Sequence, residues 1–172
     1  MKKRILSILV DNTSGVLSRV AGLFSRRGYN IDSLTVGETQ NPAFSRMTVV
    51  VRGDDQVLDQ IEKQVAKLED VRAVKVLQHG QRVCRELILV TVSVSAEHRQ
   101  EVVAIADIFR AKIVDVGTST LMIELTGNQN KLDAFVKLLD GYEIMEMVRT
   151  GITGLSRGAR DMFDELDEGL DN

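Results

Sequence analysis

The residues able to do covalent chemistry are few and scattered. His79 and His98 stand far apart, neither has a His or Cys at metal-ligand spacing, and Cys84 is the single cysteine of the chain. An internal disulfide and a paired-cysteine metal site are therefore excluded. No serine carries a nucleophile-elbow glycine pattern, and neither GxxxxGK[ST] nor GxGxxG occurs at a strand-to-helix turn. The expectation is no catalytic residue and no metal ligand, with both histidines solvated, one in a linker and one at a helix start.

Recognition chemistry is better represented. In LVDNTSGVLSRVAGLFSRRGYNIDSLTV, positions 9 to 36, an apolar run stops at Asp11 and Asn12, passes Gly15 and enters a helical pattern that Gly28 ends before Asn30, Ile31 and Asp32. The turn from Asp11 to Gly15 leads into a helix N-terminus, where unpaired amides and the helix dipole favour a carboxylate. Gly15 has no side chain to block the approach. The plain alternative is that Asn12, Thr13 or Ser14 caps the helix and Gly15 only permits the turn. At the other end, the Asn30 amide both donates and accepts, which suits a zwitterion, though Asn is also an ordinary turn residue. If two copies met edge to edge, the turn of one would face the Asn30 corner of the other. A small amino acid would fit between them, its carboxylate on helix amides, its ammonium on Asn or Asp oxygens and an aliphatic side chain against Leu17 and Ile31.

The elements that must position these residues follow from periodicity. RILSILV is almost continuously apolar, the pattern of a strand buried on both faces or at a sheet centre. Val16, Leu17, Val20, Leu23 and Phe24 fall on one helical stripe, and Gly28 is placed to end that helix in a left-handed turn. Ile31 to Glu38 and RMTVVVR read as a hairpin around the only proline. Gly53-Asp54-Asp55 starts a helix whose stripe is Val57, Leu58, Ile61, Val65 and Leu68, and VRAVKVL is a further strand. The order is βαββαβ. Leu87 to Val94, a helix marked by Val102, Val103, Ile105, Ala106 and Phe109, the strands Lys112 to Val116 and Leu121 to Thr126, a helix marked by Leu132, Phe135, Val136 and Leu139, and Glu143 to Val148 repeat it. The reading is α+β, two tandem ferredoxin-like units: 1 to 78, a linker at 79 to 84, 85 to 158, and an acidic tail at 159 to 172 expected to be mobile. Right-handed crossovers put both helices on one sheet face, so the other face needs cover from the second unit or another subunit.

Composition excludes several classes. The formal charge is −3, with basic residues scattered among acids, which argues against nucleic-acid binding, and the central strands lack the aromatic residues of RNA readers with this element order. No stretch approaches the roughly 20 apolar residues of a membrane helix, and the start lacks a signal-cleavage pattern, so a cytoplasmic location is expected.

DNTSGVLSRVAGLFSRRGYNIDSLTVG, SRMTVVV, DQIEKQVAKLEDV, RELILV, IADIFRAKIVDV, NKLDAFVKLL and MVRTGITGLSRG together resemble the regulatory small subunits of acetolactate synthase, whose first domain is an ACT domain. The resemblance spans all but the acidic tail. It implies a non-catalytic homodimer that binds a catalytic large subunit, raises its activity and confers feedback inhibition by a branched-chain amino acid, usually valine. Thiamine diphosphate, FAD and magnesium are expected on that partner, not on this chain. The family's effector site matches Asn12, Gly15, Val16 and Leu17 on one side and Asn30 and Ile31 on the other. Positions tied to feedback sensitivity match Thr35 and Gln60. Arg26, Arg27 and Arg46 are candidates for the surface that meets the catalytic subunit. The alternative within the fold is a stand-alone tandem ACT-type amino-acid sensor serving a different enzyme.

Overall fold

The structure, a computed structural model, describes residues 1–158; the tail expected at 159–172 lies outside the described residues. The chain divides into two units, Met1–Val83 with the chain from Ile152, and Cys84–Gly151. The first contains β1 (Lys2–Asp11), α1 (Val16–Arg26), β2 (Ile31–Glu38), β3 (Phe44–Gly53), α2 (Asp55–Ala66) and β4 (Val71–Val76). Its antiparallel sheet has the order β2-β3-β1-β4. The second is built from β5 (Arg82–Ser93), α3 (Arg99–Ile108), β6 (Lys112–Val116), β7 (Thr120–Gly127), α4 (Gln129–Leu138) and β8 (Glu143–Arg149). Its order, β6-β7-β5-β8, is the same one. βαββαβ thus occurs twice, as the periodicity indicates.

Local sequence explains the element boundaries. Gly28, at φ 68°, ends α1, and the Tyr29 amide closes back on the Phe24 carbonyl at 2.9 Å. Asp54 caps α2 by accepting from the Val57 amide at 2.8 Å, and Asn128 caps α4 by accepting from Lys131 at 2.9 Å. α1 buries Val16, Val20, Leu23 and Phe24 against Leu6, Ile8, Met47 and Val49 of the sheet. Leu17 shares the sequence stripe but is 46% exposed, because it lies at the stripe's margin beside the helix start. The second core gathers Ile88, Val90 and Val92 with Leu132 and Phe135.

Two features differ from the sequence reading. HGQRVC lacks either period, yet Arg82, Val83 and Cys84 already belong to β5. A short strand not foreseen, β9 (Thr153–Ser156), pairs with β5, and the Arg157 amide donates to the Gln81 carbonyl at 2.7 Å. The sequence reading carries the second unit to 158, whereas the chain from Ile152 groups with the first. The cause is local: one residue of this returning segment is gripped from β2. Thr35 Oγ1 donates to the Ile152 carbonyl and Ser33 Oγ accepts from the Ile152 amide, both at 3.3 Å. The cover needed on the helix-free sheet face thus comes in part from the chain's own return.

Candidate effector site

The turn between β1 and α1 is held from three sides. The Asn12 amide donates to the Ala43 carbonyl at 2.8 Å. Its side chain donates to the Pro42 carbonyl at 2.9 Å and to Glu38 Oε2 at 3.3 Å, while its Oδ1 accepts from Ser45 Oγ at 3.0 Å. Asn12 therefore spends its side chain on fixing the β2–β3 connection against the turn. Asp11 receives both Nε and a terminal nitrogen of Arg72 at 2.7 Å, a bidentate pair.

The helix start is open. Gly15 occupies the N-cap position at φ 84°, and no side chain caps α1. Asn12, Thr13 and Ser14 thus do not perform the capping role that the plain reading of the sequence gives them. The amides of the first turn receive no side-chain cap, and Leu17 is exposed beside them. Only glycine adopts this backbone conformation cheaply, and a Cβ placed there would come within 2.9 Å of an Arg19 guanidinium nitrogen. Arg19 is a residue that stripe reasoning turns outward. It reaches back one helical turn toward the Ser14 carbonyl, at 3.5 Å, and pairs with Asp70. That hydrogen bond is the chief cause holding the Asp70 carboxyl below its ordinary value. The available signal was the Arg four residues beyond the turn glycine, the spacing that stacks a long side chain over a helix start.

Asn12, Gly15, Val16 and Leu17 lie together at one end of α1, with Val16 buried and Leu17 exposed. Asn30 and Ile31 lie at the other, about 16 Å away at 1.5 Å per residue for the 11 residues of α1. Within one chain the two halves do not meet. Ile31 packs on the core from the start of β2, an edge strand, and Asn30 Nδ2 contacts Asp32 Oδ1 at 3.4 Å while Asp32 pairs with Arg52. Thr35 is elsewhere again, on the helix-free face against Ile152. Gln60 is exposed on α2. Of the arginines singled out, Arg27 donates to Gln64 at 3.3 Å, and Arg46 donates to Ser7 on the helix-free face at 2.8 Å. Among the described residues, no group of three or more His, Cys, Asp or Glu side chains is placed to hold a metal, and no helix is long and apolar enough to cross a membrane.

Comparison with known proteins decides the family. Residues 6–73 match the family model described as AHAS small subunit-like ACT domain, and residues 85–158 match that of the small subunit of acetolactate synthase. The chain belongs to the acetolactate synthase small-subunit family. It is 50% identical over 159 residues to a probable acetolactate synthase small subunit of Methanothermobacter thermautotrophicus, covering 92% of this chain and 95% of that protein. It is likewise 50% identical over 161 residues to the acetolactate synthase isozyme 3 small subunit of Escherichia coli, covering 93% and 99%. The crystal structure of the acetolactate synthase small subunit from Thermotoga maritima superposes with a TM-score of 0.86 at 41% identity, covering 93% of this chain and all of that one. Each of these relatives is named as a small subunit of acetolactate synthase, which fits a regulatory-type subunit.

Proposed function

We propose that the chain activates a catalytic acetolactate synthase subunit and makes it sensitive to valine. The observation that carries the site is the uncapped start of α1 at Gly15, with the aliphatic Leu17 exposed beside it. A free amino acid supplies what that start lacks: a carboxylate for the amides and a branched side chain for Leu17. The ammonium then needs oxygens, which Asn30 and Asp32 offer only from a second copy, because in one chain they lie at the far end of the helix. The site is accordingly completed by dimerisation along β2, the edge strand that carries Ile31 at its start. Asn12 serves it by holding the turn in place.

Valine acts in this scheme by binding one arrangement of the two subunit types more tightly than another, a coupling of typically about 1 to 3 kcal/mol. Thiamine diphosphate, FAD and magnesium belong to the catalytic partner, which carries out the condensation of pyruvate with a second 2-oxo acid in the cytoplasm.

The test is acetolactate formation by a purified catalytic subunit, with and without this chain, across a valine titration. Activation by the chain and inhibition by valine are expected together. Gly15→Asp, which sets a charge where the ligand carboxylate sits, abolishes the inhibition and leaves activation largely intact; Asn12→Ala does so by releasing the turn. A Gly15→Asp chain that remains equally valine-sensitive places the effector elsewhere, and no rate change at any ratio of the chains rejects the partner.

A further inference from the structure

The helix-free face of the first sheet holds a cleft of about 670 Å³, walled on one side by the returning segment Thr153–Ser156. That is within the roughly 300 to 1,000 Å³ typical of small-molecule sites. Its floor is a single row across the four strands. Thr35 on β2 pairs with Thr48 on β3, Thr48 with Ser7 on β1, and Ser7 with Lys75 on β4. Three hydroxyls and an ammonium thus stand side by side on one face of the sheet. Ser7 and Thr48, each 1% exposed, are polar at the centre of a sheet whose neighbouring positions on that face, Ile5, Leu9 and Val50, are buried apolar residues.

We propose that this cleft binds a small phosphorylated metabolite. Arg46, one register step along β3's side of the face, sets its guanidinium against Ser7 Oγ at 2.8 Å and so brings a second cation to the row. Among the described residues, the Lys75 ammonium has no ion-pair partner and the Thr48 hydroxyl no hydrogen bond. The one carboxylate at the lining, Glu38, already receives the Asn12 amide at 3.3 Å. A chain of net charge −3 therefore encloses a cleft with an excess of positive charge. Two cations with the Thr48 hydroxyl beside them match the two charges that a phosphoryl group carries on one centre better than the single charge of a carboxylate. This site differs in place and in ligand chemistry from the start of α1.

The experiment is thermal unfolding and calorimetric titration of the full chain with ribose 5-phosphate, inorganic phosphate and succinate, each against sodium chloride at matched ionic strength. A saturable stabilisation by the phosphates that chloride and succinate do not reproduce is expected. Tighter binding of ribose 5-phosphate than of inorganic phosphate identifies an organic phosphate as the ligand class, and equal binding identifies the phosphoryl group alone. Lys75→Gln weakens binding about tenfold, by loss of one charge-assisted hydrogen bond. Gly37→Glu abolishes it: Gly37 lines the cleft with open space where a Cβ would go, so a folded chain with a carboxylate in the cleft results. Lys137→Gln, on α4 of the second unit, leaves it unchanged. No saturable response, a response shared equally by succinate, or one that survives both Lys75→Gln and Gly37→Glu overturns the proposal.

Discussion

The two units share more than an element order, and they differ where cover is concerned. In β1 the six residues from Ile5 to Val10 are all buried, whereas in β5 burial alternates residue by residue from Glu86 to Val94. The same contrast separates β3 from β7. Even the irregularities correspond. Pairing of the central strand with the last one slips between Leu9 and Val10 in the first unit and between Thr91 and Val92 in the second. The first hairpin slips between Ile31 and Ser33, and its counterpart between Ile113 and Asp115. The backbone plan is therefore common to both. What differs is the face away from the helices: the first unit closes it with Leu77 and Ile152, both buried, while Leu89, Thr91, Met122 and Glu124 of the second stay half exposed. Strand patterning thus reports the number of covered faces, and the plan itself is indifferent to it.

The sharpest way to break that contrast is truncation on the second face. Leu9→Ala empties a site with no exposure and is expected to cost roughly 3 to 5 kcal/mol, read as a fall in the urea midpoint of the full chain. Leu89→Ala removes a half-exposed side chain and is expected to cost about 1 kcal/mol. Equal losses would mean that the second unit's open face is covered in solution, and the distinction between the units would then rest on assembly instead of sequence.

Charge burial separates the units in the opposite sense. Glu86, 6% exposed, receives both Nε and a terminal nitrogen of Arg149 at 2.9 Å, and the remaining terminal nitrogen reaches Asp133 at 2.8 Å. Hydrogen bonding to Glu86 is the chief cause raising the Arg149 guanidinium above its ordinary value. Pairs of the first unit such as Lys2 with Asp55 are exposed on both sides. Arg149→Ala leaves a buried carboxylate without its partner and is expected to cost about 2 to 3 kcal/mol, allowing for the partial exposure of Arg149. Lys2→Ala is expected to change stability by less than about 1 kcal/mol. A negligible effect of Arg149→Ala would show that water or a rearranged neighbour takes over Glu86.

Much of this was legible beforehand because it depends on local rules. Apolar spacing located the helices, Gly28 marked a left-handed stop, and the nearly continuous RILSILV pointed to a strand buried on both faces or at a sheet centre, both of which hold for β1. The misses have a common physical origin in contacts distant along the chain. Nothing in GITGLS announces that Ile152 will be held by Ser33 and Thr35, 119 and 117 residues earlier, nor that Asn12 will spend its amide on Pro42 and Ser45 instead of capping α1. Arg19 is exposed, as its place off the apolar stripe requires, but the stripe does not say that its long side chain ends at Asp70. The ends of α1 were located by sequence. Their separation within one chain, which leaves each half of the candidate site incomplete, is a matter of helix length.

The smallest expected effect tests whether the correspondence of the units extends to how each fastens its first helix. In the first, Arg19 of α1 pairs with Asp70, just before β4; in the second, Tyr142, just before β8, donates to Glu101 of α3 at 2.6 Å. Hydrogen bonding from Tyr142 is the first cause, and His98 the second, of a Glu101 carboxyl held below its ordinary value, as Arg19 holds Asp70. A carboxylate with a lowered folded-state pKa contributes stability that is complete above its unfolded value and is lost as pH falls through the folded one. Tyr142→Phe and Arg19→Gln should therefore each lower the urea midpoint slightly at neutral pH, and each difference should vanish in acid once the carboxylate concerned is protonated in both states. Salt then separates the two fastenings. At about 1 M, where the screening length is about 3 Å, the Arg19→Gln difference should shrink, because an ion pair is lost. The Tyr142→Phe difference should persist, because a phenol donating to a carboxylate carries only one charge. Equal salt sensitivity would mean that the Tyr142 hydrogen bond is not what fastens the second unit.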